Sequence, residues 1–230
     1  MIATQKVWHP WVTAIVTIVA IAVMSKVLPP AAEGPAVAAA FLAPAWLWVW
    51  RHDDAIVKEH GVALGGFMLH ERREGLVGTW RALIVLIVVT IIVLVPYAFG
   101  YRLWFHMNGP VHWANAWRGV LAEAPGQLLM VALPEEVFFR GYLQTALDRQ
   151  FTTKVRILGA NVGLSLVITS AIFAIGHVLT RPSPERLAVF IPSLLFGWMR
   201  ARTGGVGASI LFHALCNLLA AALVRGLTPG

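Results

Sequence analysis

The sequence predicts an all-α membrane protein, a polytopic transmembrane helical bundle of about 7–8 spans with a polar site at membrane depth. Three observations predict it. Of 230 residues, 58% are hydrophobic and only 13% are charged, too apolar for an ordinary soluble domain. Uncharged runs recur at 7–25, 34–50, 82–101, 157–180 and 203–224, and a helix crossing a bilayer needs about 20 mostly apolar residues. A cluster of Glu135, Glu136 and Arg140 sits between the uncharged segments 126–132 and 141–147. Ionisable groups at that depth are costly and, as a rule, paired and functional. The apolar runs are too long and too little alternating for barrel strands, which leaves helices to satisfy the backbone in lipid.

Span one is expected over 11–28, with Trp8 and Trp11 at an interface and Pro29-Pro30 ending it. Lys6 ahead of an apolar stretch imitates a signal peptide. Lys26 and two prolines follow without a small-x-small cleavage site, so this segment reads as a retained span. Span two, 35–50, closes in the aromatic belt Trp46-Leu47-Trp48-Val49-Trp50 before Arg51. Residues 51–80 mix both charge signs with Gly61, Gly65 and Gly66 and read as an exposed loop with a short interfacial helix. Span three, 82–97, is rich in Val, Ile and Leu. The stretch 100–118, with Trp104, Trp113 and Trp117, reads as interfacial. Span four, 119–147, holds the charge cluster. Spans five, six and seven are expected at 158–179, 187–199 and 206–224. This divides the chain into an N-terminal transmembrane region, 1–118, with polar interfacial loops, and a core, 119–225, that carries the chemistry.

The net charge is +7. It lies in short loops, where topology and anionic headgroups explain it better than nucleic acid does. With seven spans, the N-terminus and the loops after spans two, four and six share a side, and they hold most of the 18 Lys and Arg residues. The positive-inside rule then puts the N-terminus in the cytoplasm. Cys216 is the single cysteine, so no intrachain disulfide can form.

Within span four, Glu136 and Arg140 are four residues apart and can pair on one helix face. Glu135 points about 100° away and is the carboxylate left free. Pro134, just before it, removes a backbone hydrogen bond and can open the helix to water. His9, His52, His60, His70, His106 and His112 lie in polar or boundary stretches, whereas His177 and His213 belong to apolar spans. His213 and Asn217 share a helix face. A free carboxylate and a neutral imidazole can deprotonate a water, and an imidazole with an amide N–H can stabilise an oxyanion. Together they describe amide hydrolysis without a covalent nucleophile. Ser165, Ser170, Ser193 and Ser209 show no nucleophile elbow, and Cys216 faces away from Asn217. Glu135, His177 and His213 could also form a two-His, one-carboxylate zinc site, although no His-Glu-x-x-His motif is present. Spans five and seven run parallel, so His177, late in one, and His213, early in the other, are expected to differ in depth by about 10 Å.

Three motifs carry a resemblance: Glu135-Glu136-Val137-Phe138-Phe139-Arg140, Phe173 to His177, and His213 to Asn217. In this order they resemble the CPBP family of intramembrane proteases, also called the Abi or type II CAAX prenyl protease family, over roughly residues 119–224. Residues 1–118 carry no motif that matches. The resemblance implies an α-helical intramembrane endopeptidase in a bacterial or archaeal cell membrane. It implies that Glu135 and His177 activate the water, that His213 and Asn217 form the oxyanion hole, and that Glu136 and Arg140 support Glu135, with Phe173 opening the second motif. It favours a glutamate mechanism without a metal, zinc being the competing cofactor. The expected partners are membrane lipids and a membrane-anchored or lipidated protein substrate. A non-enzymatic membrane scaffold or immunity protein, held together by the same polar cluster, is the alternative of a different class.

Overall fold

In a computed structural model, residues 7–62, 72–117 and 119–227 are described. The chain opens with α1 (His9–Val27), turns at the two prolines, and returns as α2 (Pro30–Ala45), which tightens into a π-helical turn, Trp46–Trp50. A short helix, α3 (Asp54–His60), ends at Gly61, whose φ of 65° is the left-handed conformation that favours glycine. A methyl group on Gly61 would lie 2.6 Å from the carbonyl oxygen of Gly204. The rest of the expected loop 51–80 falls partly on 63–71, outside the described residues.

Span three proves much longer than its apolar run. Helix α4 (Arg72–Trp104) has 33 residues, or about 50 Å, against a hydrocarbon core of about 30 Å. It extends through polar sequence at both ends because nothing there breaks it, and Pro96 is accommodated within it. Ile84, Ile87, Val88, Ile91, Ile92 and Val95 are exposed on one face, as a lipid-facing stripe requires. Ala82 and Val89 on the other face pack with Phe212 and Cys216. The expected interfacial stretch 100–118 contains the end of α4 and a single turn, α5 (Trp113–Ala116).

Span four is helical from 120 to 148 but repeatedly changes pitch. It consists of α6 (Val120–Gly126), a π segment Gln127–Ala132, α7 (Leu133–Glu136), a second π segment Val137–Leu143, and α8 (Gln144–Asp148). The start of span five corrects the sequence reading. Residues 154–163 form an antiparallel hairpin, β1 (Lys154–Ile157) with β2 (Ala160–Gly163), turning at Leu158 and Gly159, both with positive φ. Helix α9 (Leu164–Thr180) begins only after it. A 3₁₀ segment, Pro184–Val189, leads into α10 (Phe190–Thr203), and α11 (Gly207–Leu227) closes the bundle.

Among the described residues, four helices are long and apolar enough to cross a membrane: His9–Val27, Pro30–Trp50, Leu76–Trp104 and Gly207–Leu227. Every expected span is thus a helix, but the three that bring the polar motif, His177 and the segment before His213 are broken or short. The fold is the all-α membrane bundle that the composition predicts, with one small hairpin added. Contacts identify its two ends. His9 packs edge-on against Trp48 at 4.3 Å, Trp11 Nε1 donates to Gln150, and Arg149 forms a two-pronged ion pair with Glu59. At the other end Trp104 Nε1 donates to the carbonyl of Glu185, and Arg225 pairs with Glu123.

Candidate active site

Helix α7 is the pivot. Pro134 has no N–H to give to residue 130, and the backbone on both sides relaxes into π turns. The widened turns set Glu135 and Glu136 at the centre of the bundle on different faces. Glu136 is wholly buried and Arg140 nearly so; the Glu135 side chain keeps 12% of its surface. The i,i+4 spacing delivers its pair: Arg140 Nη1 lies 3.2 Å from Glu136 Oε1, an ion pair by distance without hydrogen-bond alignment. The guanidinium finds better partners on α10, where Nη2 donates to the carbonyl oxygen of Ser193 at 3.2 Å and to its Oγ at 2.8 Å. Three rings enclose it, with Phe173 at 4.6 Å, Phe196 at 5.3 Å and Phe139 at 5.7 Å from Cζ to the ring centroid. A desolvated cation over aromatic faces is worth about 2 kcal/mol.

Glu136 also has a second partner. His213 Nδ1 donates to Glu136 Oε1 at 2.9 Å, and its ring stacks on Phe196 at 4.7 Å and 16°. Its other nitrogen, Nε2, then faces Glu135 Oε2 at 3.9 Å. Glu135 Oε2 is buried and has no hydrogen-bond partner. His177 is oriented independently: its Nδ1 donates to the carbonyl of Phe173 one turn back, 3.0 Å away, which leaves Nε2 as the acceptor. Phe173 touches both histidines, its centroid 4.4 Å from His177 and 5.9 Å from His213.

A cavity of about 410 Å³ exposes one side of this arrangement. Glu135 and His177 both line it, and they lie close enough to interact electrostatically. His213 is not on the cavity wall; it reaches the site through Glu135. Asn217 is not on the wall either: its Nδ2 donates at 3.1 Å to Oε1 of Gln127, which is. The remaining wall comes from α1 and α2, including Ile18, Ile21, Val37 and Phe41, and from Arg181 and Arg186 at one end.

The structure therefore brings Glu135, Glu136, Arg140, Phe173, His177 and His213 into one contact network and connects Asn217 through Gln127. Among the described residues no three of His, Cys, Asp and Glu, with Glu135, His177 and His213 among them, form a group placed to hold a metal ion. Cys216 is buried with Phe196 and Phe212. Sequence reasoning missed Ser193, Phe196 and Gln127. Only Gln127 carried a signal: it stands eight residues before Glu135, about two turns along the same helix.

The family model described as type II CAAX prenyl endopeptidase, Rce1-like, matches residues 79–219. All three motifs fall inside the match; α1 and α2 fall outside it. Neither a curated protein nor a solved structure matches the chain.

Proposed function

Because the chain belongs to the Rce1-like type II CAAX prenyl endopeptidase family, we propose that it hydrolyses a peptide bond of a membrane-anchored or lipidated protein with a water activated by Glu135 and His177. The observation that carries this reading is that both side chains line one cavity at the centre of an apolar bundle, with a buried oxygen of Glu135 unpartnered. In the proposed reaction, a water held between the Glu135 carboxylate and His177 Nε2 attacks the scissile carbonyl carbon. Its proton passes to Glu135, and the carbonyl oxygen becomes an oxyanion. When the C–N bond breaks, that proton is returned to the departing amine, and a carboxylic acid and an amine are the products.

His213 and Asn217 are assigned to the oxyanion. Glu136 holds His213 at Nδ1 and so turns Nε2 towards Glu135; in this role the ring acts as the imidazolium, with Nε2–H the donor. Asn217 keeps one N–H after giving the other to Gln127. Glu136, Arg140 and Ser193 fix the histidine and touch no substrate. No metal takes part in this scheme. The N-terminal end of the bundle is placed on the cytoplasmic side, because Arg51, Lys58, Arg149, Lys154, Arg156, Arg200 and Arg202 gather there.

The test is cleavage of a prenylated peptide by the purified full chain in detergent. Glu135→Gln is expected to lower kcat by about 10²–10⁴-fold while leaving the thermal midpoint in place, and activity is expected to survive treatment with EDTA or 1,10-phenanthroline. Full activity in both Glu135→Gln and Glu135→Ala would refute the role of Glu135. Loss on chelation with recovery on added zinc would refute the metal-free scheme.

A further inference from the structure

The two groups assigned to the oxyanion both stand behind the cavity wall. His213 meets Glu135 and Asn217 meets Gln127, and of these four only Glu135 and Gln127 line the space. Glu135 already has its part, as the base. Gln127 has none: it belongs to none of the three motifs and opens the π segment Gln127–Ala132. It is half-buried, and its Oε1 accepts from Asn217 Nδ2 at 3.1 Å. With the oxygen turned to Asn217, the end of the planar amide left to the cavity is Nε2, which carries two N–H groups. Among the described residues this nitrogen donates to nothing. The helices around the bond are held from outside the cavity, where Leu218 and Ala222 of α11 pack with Val120 of α6.

A preorganised amide N–H stabilises negative charge where it develops, and Asn and Gln side chains build oxyanion holes in this way. Of the neutral side-chain donors on the wall, Thr180 Oγ1 is committed to the carbonyl of His177. Ser25 belongs to α1, outside the helices that carry the motifs. Gln127 stands on the same helix as Glu135, about two turns before it, and Met130 and Val131 line the wall between them. A peptide laid along this strip meets the base and the amide together. The bond from Asn217 has two effects on that amide. It decides which end faces the cavity, and by loading the oxygen it polarises the N–H at the other end. We infer that Gln127 Nε2 donates to the scissile carbonyl oxygen as it becomes an oxyanion, and that Asn217 is a positioning residue acting through Gln127. This rests on the endopeptidase reading.

The experiment places the full chain in phosphatidylcholine nanodiscs. Cleavage of a prenylated peptide gives kcat and KM. Binding is read separately with two uncleavable analogues of that peptide. In one a ketomethylene replaces the scissile amide and stays planar and neutral; in the other a phosphinate supplies a tetrahedral anion. Gln127→Met is expected to lower kcat by about 10²–10³-fold with KM little changed. It is expected to weaken the phosphinate by roughly tenfold or more and to leave the ketomethylene as it was. Gln127→Glu keeps an oxygen for Asn217 and removes the donor, so the same loss of kcat is expected with the thermal midpoint in place. Asn217→Ala is expected to lose less than Gln127→Met, and adding it to Gln127→Met to lose nothing further. Normal kcat in Gln127→Met overturns the donor and leaves the endopeptidase reading intact. A rise in KM with kcat kept overturns it too, because Gln127 then holds substrate and transition state alike. A double variant that falls by the product of the two single losses overturns the positioning role, since Asn217 then acts by itself. If the wild type cuts nothing but prefers the phosphinate, and Gln127→Met removes that preference, the donor stands and the endopeptidase reading falls. Without cleavage and without that preference, both fall.

Discussion

Glu136 is wholly buried and holds two partners at once. It faces Arg140 at 3.2 Å and His213 at 2.9 Å, with no exposure to solvent. Replacing it with Gln keeps the shape but leaves the guanidinium of Arg140 buried against Ser193 and three rings without its paired carboxylate. Breaking a buried pair in this way costs about 3–5 kcal/mol. Glu136→Gln is therefore expected to lower the thermal midpoint in detergent, whereas Glu135→Gln is not; equal midpoints in the two variants would contradict this division. At this scale the sequence was partly legible. The Glu136–Arg140 pair follows from helical spacing alone. The bond from His213 to Glu136 spans 77 positions and has no local signature, nor has the choice of Ser193 as the second partner of the arginine.

At the level of the element, the helix from 120 to 148 owes its shape to a proline and a glycine. Pro134 loosens the turns around the two glutamates. Gly141 lets the next stretch approach its neighbour: a methyl there would lie 2.5 Å from Val62 Cγ1. Gly141→Ala is expected to destabilise by about 1–3 kcal/mol, read as a fall in the thermal midpoint. Adding Val62→Ala should recover much of the loss; no recovery would mean that the cost lies elsewhere. The existence of the helices was readable from apolar runs, but their limits were not. The second part of the hairpin, residues 158–163, was absorbed into span five because Leu158, Ala160 and Val162 continue its apolar run. The turn rests on Leu158, a residue that rarely takes positive φ. Helix α4 outran its apolar run because hydropathy reports where lipid is, and a helix stops only where its backbone is interrupted.

For the molecule as a whole, the two ends differ in charge, and the protein can be oriented by experiment. Its one native cysteine, Cys216, is buried, so an introduced cysteine reports alone. Asp53 and Asn108 are exposed at opposite ends. In intact cells a membrane-impermeant maleimide is expected to label Asn108→Cys and to spare Asp53→Cys until the membrane is opened. The reverse pattern would invert the assignment. Parity of spans and the distribution of Lys and Arg were enough to group these ends from sequence, because charge in short loops is a property of the whole chain. The cavity was not readable at that scale. Its walls draw on α1 and α2, which carry no motif, and only packing brings Ile18, Val37 and Phe41 opposite Glu135. The family match begins at residue 79, so the proposed reacting groups and a part of the cavity wall are encoded in separate stretches of the chain. Such an arrangement lets one stretch drift while the other is held. Changes on the first two helices would reshape the cavity, and Phe41, packed on Phe138 and Phe139, is where they would be felt by the motif helix.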